Sequence, residues 1–263
     1  MTSCNTLYAD LLQRLLTFGE TINTRNSTVK RLFAEKIVFT ETPLVSLRKT
    51  AWRNALREWE WFMSGSNRIE DLHESVQPWW LPWADKDGRV NFNYSHQLRS
   101  YGSGFDSIAF LINAVKEHPH SRRNVITTWN TEEMVHLDCP ITNCHGTVIQ
   151  TFVSGPLLHL VTYQRSADAV CGLPHNWLQY WAFLLWLAYR TGYQVGTLTW
   201  IGGDVHLYDV HTDLARKILH CPETYPSCPE LLYGPSGEDF KADDFSLSSE
   251  YLPVLKDRAE MVI

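Results

Sequence analysis

Apolar residues at helical spacing open the chain. In residues 5–19 (NTLYADLLQRLLTFG), Leu7, Leu11, Leu12, Leu15 and Leu16 fall on one face and Gly19 is a natural stop, so an amphipathic helix is predicted. RLFAEKIVFT then reads as a strand. Helical period returns over residues 50–63 (TAWRNALREWEWFM), which aligns Trp52, Leu56, Trp59 and Met63. Residues 106–117 (DSIAFLINAVKE) predict a third helix with Asp106 as its N-cap. Strand-like runs follow: NVITTWN, GTVIQTFVSG and PLLHLVTYQ. The next run, NWLQYWAFLLWLAYRTG, is apolar on all sides from Tyr180 to Tyr189. It is too short to span a bilayer and is bounded by Gln179 and Arg190, so it predicts a helix buried in the core. VGTLTWIGGDVHLY is a further strand closed by glycines, and beyond His220 the pattern fades into Pro, Ser and acidic residues.

Helices and strands do not alternate strictly, which favours α+β over a doubly wound sheet. Neither an internal repeat nor a long linker divides the chain, so one domain over residues 1–263 is expected. At 44% hydrophobic residues the chain can bury a substantial core. Its formal charge of −6 speaks against general nucleic-acid binding but leaves room for a small anionic ligand held by a few arginines. The six cysteines form no C-x-x-C pair, and MTSCNTLYADLLQ lacks the basic and apolar regions of a signal peptide. Free thiols in a reducing, cytoplasmic compartment are expected, with no membrane association.

Composition leaves the chemistry open, and residues 138–150, DCPITNCHGTVIQ, pose the question directly. Cys144-His145 reads as a metal site, a buried structural thiol or a nucleophile. The spacing of Cys139, Cys144 and His145 matches no common zinc pattern, so no metal is expected. Arg25 (TRNST), Arg122 and Arg123 (HSRRN) and Arg165 (YQRSAD) each read singly as solvated charges. Together they suit a phosphate, whose oxygens match guanidinium forks. Asn176, after Gly172-Leu173-Pro174-His175, offers donors and an acceptor in one plane, as a nucleobase edge requires; it reads equally as a helix N-cap.

These segments, taken in order, carry a resemblance. TRNST, PLVSLRKTAWRNALREWEWF, WADKDGRVNFNY, SRRNVITTWN, NCHGTVIQ, YQRSADAVCGLPHN, WIGGDVHLYDVH and the final MVI resemble thymidylate synthases and their nucleotide hydroxymethylase relatives along nearly the whole chain. The resemblance implies a single α+β domain with a large mixed β-sheet, a buried central helix and flanking helices. It implies folate-dependent one-carbon transfer to C5 of dUMP, with 5,10-methylenetetrahydrofolate as co-substrate, most simply to give dTMP. Cys144 matches the nucleophile that adds to C6 of the uracil ring, and Arg165 the arginine beside it. Arg25, Gln164, Arg165 and Ser166 resemble nucleotide-binding residues, and Arg122 and Arg123 the pair donated across a homodimer interface. Asn176 resembles the reader of the pyrimidine edge, and His206 and Tyr208 the holders of the 3′-hydroxyl. Glu58 resembles the carboxylate that moves protons, Tyr94 the tyrosine near the nucleophile, and His145 and Gln150 its ordered neighbours. Asp168, Gly172, Arg48, Trp80, Trp83, Ile141, Leu173 and Ile263 resemble the folate pocket and its closing tail.

The chain also departs from the family pattern. Thr142-Asn143 replace two usual prolines, Arg48 a lysine, Ala51 a histidine and His175 a phenylalanine. These changes surround the folate and the base and leave the phosphate and sugar residues intact. They keep open a hydroxymethylase acting on dUMP or dCMP, such as serves phages with modified DNA, and more remotely a nucleotide-binding homologue without turnover.

Overall fold

The leucine stripe forms α1 (Cys4–Phe18), with Leu11, Leu12 and Leu15 fully buried. Ser3 caps its start through Thr6 N–H at 3.2 Å, and the Gly19 N–H closes its end on Leu15 O. A computed structural model describes residues 3–24, 27–136, 143–221 and 228–262. Strands β1 (Glu20–Asn23) and β2 (Thr28–Phe39) follow, then α2 (Trp52–Ser64), which Gly65 ends in the left-handed conformation. Three short helices, α3 (Gln77–Trp80), α4 (Tyr94–Arg99) and α5 (Tyr101–Gly104), lead to α6 (Ser107–Glu117), whose Asp106 cap accepts Ala109 N–H at 2.9 Å. Next come β3 (Val125–Ile126), α7 (Thr131–His136), β4 (Val148–Ser154), β5 (Leu157–Asp168), α8 (Leu173–Thr191) and β6 (Gln194–Tyr208). The chain continues through α9 (Thr212–Leu219) into a small hairpin, β7 (Leu231–Tyr233) and β8 (Phe245–Leu247).

Six strands form one sheet in the order β1-β2-β6-β5-β4-β3. All pairs are antiparallel except β5 and β6, which run parallel and are joined by α8. The sheet is therefore mixed, and α8 is the crossover that parallel strands need. One face points inward through Leu158, Leu160, Thr162, Gln164, Leu198 and Trp200, all buried beneath α1 and α8. Helix α2 packs on the far side of α8, which leaves α8 with helix on one flank and sheet on the other. That double cover is why its middle tolerates Trp177, Phe183 and Trp186 on different faces: each is buried, and burying a large apolar side chain contributes roughly 1.5–3 kcal/mol. The outer sheet face is different, with Phe33 81% and Phe152 63% exposed. Among the described residues no helix is long and apolar enough to cross a membrane.

Four readings of the sequence change. The glycines of WIGGDVHLY do not close their strand: β6 runs through Gly202 and Gly203 to Tyr208. The N-cap reading of Asn176 is overturned: α8 begins at Leu173, with Pro174 in the first turn, where its missing N–H costs nothing. Asn176 N–H already bonds Gly172 O at 3.1 Å, so its side chain is released from capping. In NVITTWN only Val125 and Ile126 pair as a strand. Beyond them the Thr127 and Thr128 hydroxyls bond Thr147 O at 2.5 Å and Gly146 O at 3.1 Å, so side chains replace the ladder. The patternless tail is ordered by distant partners: Tyr251 Oη donates to Val45 O at 2.7 Å, and Val254 N–H to Ser46 O at 2.8 Å.

Candidate active site

Cys144 lies just before β4, half-buried, on a loop held from three sides. Ser166 N–H at β5 bonds Cys144 O at 3.3 Å. Asn143 is fully buried and donates from Nδ2 to Thr128 O at 3.0 Å. Two residues on, Gly146 adopts a positive φ of 59°, and a Cβ there would collide with the Tyr180 hydroxyl. The third support is Tyr94 on α4. Its oxygen accepts Cys144 N–H at 2.8 Å and lies 3.2 Å from Sγ, so its own proton is free to point at the sulfur.

Burial pushes the Cys144 thiol up; the hydrogen bond from Tyr94 and the positive charge of Arg165 oppose that shift. Without substrate the group therefore rests as a thiol, with both devices for stabilising a thiolate already in place. Arg165, near the end of β5, stacks its guanidinium over Trp129 at 5.1 Å. His145 is buried and its ring stacks on Tyr94 at 4.2 Å. Burial lowers its pKa to about 3, so it stays neutral and bonds Tyr180 Oη through Nδ1 at 2.8 Å.

A second cluster joins α2, α3 and α8. Glu58 points from the apolar stripe of α2 into the core; its Oε1 accepts from Trp80 Nε1 at 2.5 Å and its Oε2 from Gln179 Nε2 at 2.7 Å. Burial raises its pKa to about 7, and those two hydrogen bonds hold it from going higher. Gln179 Oε1 in turn accepts from Asn176 Nδ2 at 3.2 Å, while Asn176 Oδ1 accepts from Gln164 Nε2 at 3.0 Å. Gln164 is fixed by Trp200 Nε1 at 2.9 Å. A continuous chain of hydrogen bonds thus runs Trp80–Glu58–Gln179–Asn176–Gln164–Trp200. Each end of the Asn176 carboxamide spends half its capacity inside this chain, which leaves one donor and one acceptor side by side.

Strand pairing sets the third group. The parallel register places Ser166 opposite Asp204 and Asp168 opposite His206 at the C-terminal ends of β5 and β6. His206 Nδ1 bonds Asp204 Oδ1 at 3.0 Å, and Tyr208 meets the His206 ring edge-on at 5.1 Å. Asp168 Oδ1 accepts the N–H groups of Val170 and Cys171 at 2.9 and 3.0 Å. A cysteine within reach of the charges of Arg165 and Glu58, the latter poised near neutrality and linked through Gln179 to a buried carboxamide, is an arrangement suited to nucleophilic addition.

The sequence model of the thymidylate synthase family matches residues 6–263. The chain belongs to the thymidylate synthase family.

Its relatives agree. The thymidylate synthase of Corynebacterium aurimucosum is 32% identical over 255 residues, covering 94% of each chain. That of Buchnera aphidicola subsp. Schizaphis graminum is 33% identical over 248 residues, covering 89% of this chain and 93% of the relative.

The residues that the family likeness singles out divide into four sets. Cys144, Tyr94, His145, Arg165, Glu58, Gln164 and Asn176 fall within the linked clusters just described, with Ser166, Asp168, His206 and Tyr208 beside them. Gly172 immediately precedes α8; Leu173 and Trp80 are buried, and Trp83 is half-buried. Arg48 is also buried and donates from Nη2 to Val170 O, so it grips the turn that carries Asp168. Arg122 and Arg123, by contrast, are exposed next to β3, and no hydrogen bond or ion pair among the described residues links them to the thiol. Arg25, Ile141 and Ile263, with Cys139, lie outside the described residues. Asn143 restrains the loop by a hydrogen bond where the family's proline would do so with its ring. Sequence reasoning missed Gln179, Tyr180 and Trp200. The one signal in the sequence was a glutamine placed directly before the apolar run of α8.

Proposed function

We propose that this protein converts dUMP to dTMP through a covalent adduct at Cys144. The observation that carries the reading is the single hydrogen-bonded chain from Glu58 to Asn176, set beside a thiol that Tyr94 and Arg165 are ready to ionise. Cys144 adds to C6 of the uracil ring, and C5 becomes a carbon nucleophile. Asn176 meets the ring edge with its remaining donor on O4 and its remaining acceptor on N3–H, the pattern that distinguishes uracil from cytosine. With a pKa of about 7, Glu58 can both take and return a proton at neutral pH. Arg25, Arg165 and Ser166 bind phosphate, and His206 and Tyr208 hold the sugar.

The co-substrate 5,10-methylenetetrahydrofolate supplies the one-carbon unit and the hydride that completes the methyl group. The residues fit such a molecule: Trp80 and Trp83 give flat aromatic walls, Leu173 an aliphatic one, and Asp168 a carboxylate for ring N–H groups. Arg48 fixes the turn behind Asp168, and Gly172 lies at the mouth of the same turn.

The working unit is proposed to be a homodimer in which Arg122 and Arg123 complete the partner's phosphate site. The exposed apolar outer face of the sheet, with Phe33, Phe152, Val38 and Val148, is suited to meet a second copy. The five described cysteines are free, in keeping with a cytoplasmic enzyme.

The test is to incubate the protein with dUMP, dCMP and methylenetetrahydrofolate and identify the products by mass. dTMP with an equivalent of dihydrofolate is expected. A product one oxygen heavier, without dihydrofolate, would instead establish hydroxymethylation.

A further inference from the structure

Two of the departures from the family pattern meet in space. Position 51 has lost its usual histidine and position 175 has gained one. Ala51 N–H donates to His175 Nε2 at 3.2 Å, so an imidazole returns to the start of α2 from the first turn of α8. The other nitrogen, Nδ1, donates to Cys171 O at 3.0 Å. With Nε2 accepting and Nδ1 donating, both ring nitrogens are committed and one tautomer is fixed. The flank of the ring packs against Trp79 of α3, centroids 5.5 Å apart at 62°.

His175 thus touches the three helices that hold the Glu58 end of the chain: α2 carries Glu58, α3 carries Trp80, and α8 carries Asn176 and Gln179. Helix α2 has no side-chain cap of its own and no acidic residue in its first turn, so its start is tied by the bond from Ala51 N–H together with that from Thr50 N–H to Tyr251 Oη at 2.7 Å. Arg48, the charged group that faces His175, supplies the neighbouring tie through Val170 O. Burial and that positive charge lower the pKa of His175 to about 4, which keeps Nε2 an acceptor throughout the neutral range.

We propose that His175 is a positioning residue for the proton-carrying chain, clamping α2, α3 and α8 so that Trp80, Glu58, Gln179 and Asn176 stay in register. The role rests on the proposed function of Glu58, but the clamp itself can be tested apart from turnover. His175→Phe keeps a ring of similar size and removes both hydrogen bonds. His175→Gln can keep an acceptor for Ala51 N–H and a donor for Cys171 O.

The decisive measurement titrates the Glu58 carboxyl by carbon-13 NMR in the two variants and the parent, alongside kcat and KM for dUMP. His175→Phe should shift the Glu58 midpoint by about one unit and lower kcat roughly tenfold, with KM for dUMP changed less than about threefold. His175→Gln should keep the parent midpoint and most of kcat. A parent-like midpoint and kcat in His175→Phe would overturn the proposal. If His175→Phe does not fold, nitrogen-15 NMR of the parent decides: Nδ1–H with bare Nε2 between about pH 5 and pH 9 is required, and the opposite tautomer overturns the clamp. Should the parent make no dTMP, the functional reading fails while the Glu58 midpoints still test the clamp.

Discussion

Replacing Gln179 by methionine should make Glu58 a weaker acid. Gln179 Nε2 donates to Glu58 Oε2 at 2.7 Å, and both side chains are buried. Methionine matches the length of glutamine and carries no donor, so the change removes the bond and leaves little void. A hydrogen bond to a buried charged group contributes about 1.5–3 kcal/mol, and one pKa unit corresponds to 1.36 kcal/mol, so the loss is worth about 1–2 units. The sign follows from which form the donor favours. Gln179 stabilises the carboxylate, so without it the protonated form gains, and the midpoint climbs from about 7 towards 8 or 9. The assay is a carbon-13 titration of labelled glutamate, with Glu58→Gln used to assign the resonance. The Asn176 carboxamide also loses its acceptor on Gln179 Oε1, so discrimination between dUMP and dCMP should weaken in the same variant. An unchanged or lowered midpoint in Gln179→Met, in a protein of parental melting temperature, would refute the idea that these bonds hold the Glu58 pKa down.

Further outcomes follow from the same site. Cys144→Ser should cut turnover by well over tenfold while dUMP binding, measured calorimetrically, is retained, because a serine hydroxyl is far less ionised than a thiol. Asn176→Asp should move preference from dUMP towards dCMP by roughly 1–3 kcal/mol, read as the ratio of kcat/KM values. Mixing Cys144→Ser chains with Arg122→Glu chains should restore activity on subunit exchange, since one site of the mixed dimer carries neither change; no recovery after verified exchange would exclude donation in trans. Glu58 also makes stability depend on pH. Its folded pKa is raised from 4.5 to about 7, so its contribution is fully present below 4.5 and is lost as pH rises through 7. At 1.36 kcal/mol per unit that shift amounts to about 3 kcal/mol, and Glu58→Gln should flatten the fall in denaturant stability between pH 4.5 and about 7 by up to that much.

The sequence by itself determined what is local and periodic. The leucines of α1, the Asp106 cap of α6 and the alternation of β4 and β5 each follow from contacts a few residues apart, so pattern sufficed to place them. The order of motifs likewise brought out the family and the candidate residues Cys144, Glu58, Arg165 and Asn176. What only the tertiary structure decided is how those residues work together. Asn176 looked equally like a helix cap until Pro174 and Gly172 moved the start of α8. Gln179 carried no motif, yet it joins Glu58 to Asn176, positions 118 residues apart in sequence. Ala51 and His175 read as two separate departures; folding makes them the two ends of one hydrogen bond. The physical reason is common to all three. Periodicity reports which face of an element is buried, whereas a pKa or a fixed tautomer depends on the few polar atoms that other elements bring within about 3 Å, and those distances exist only in the folded chain.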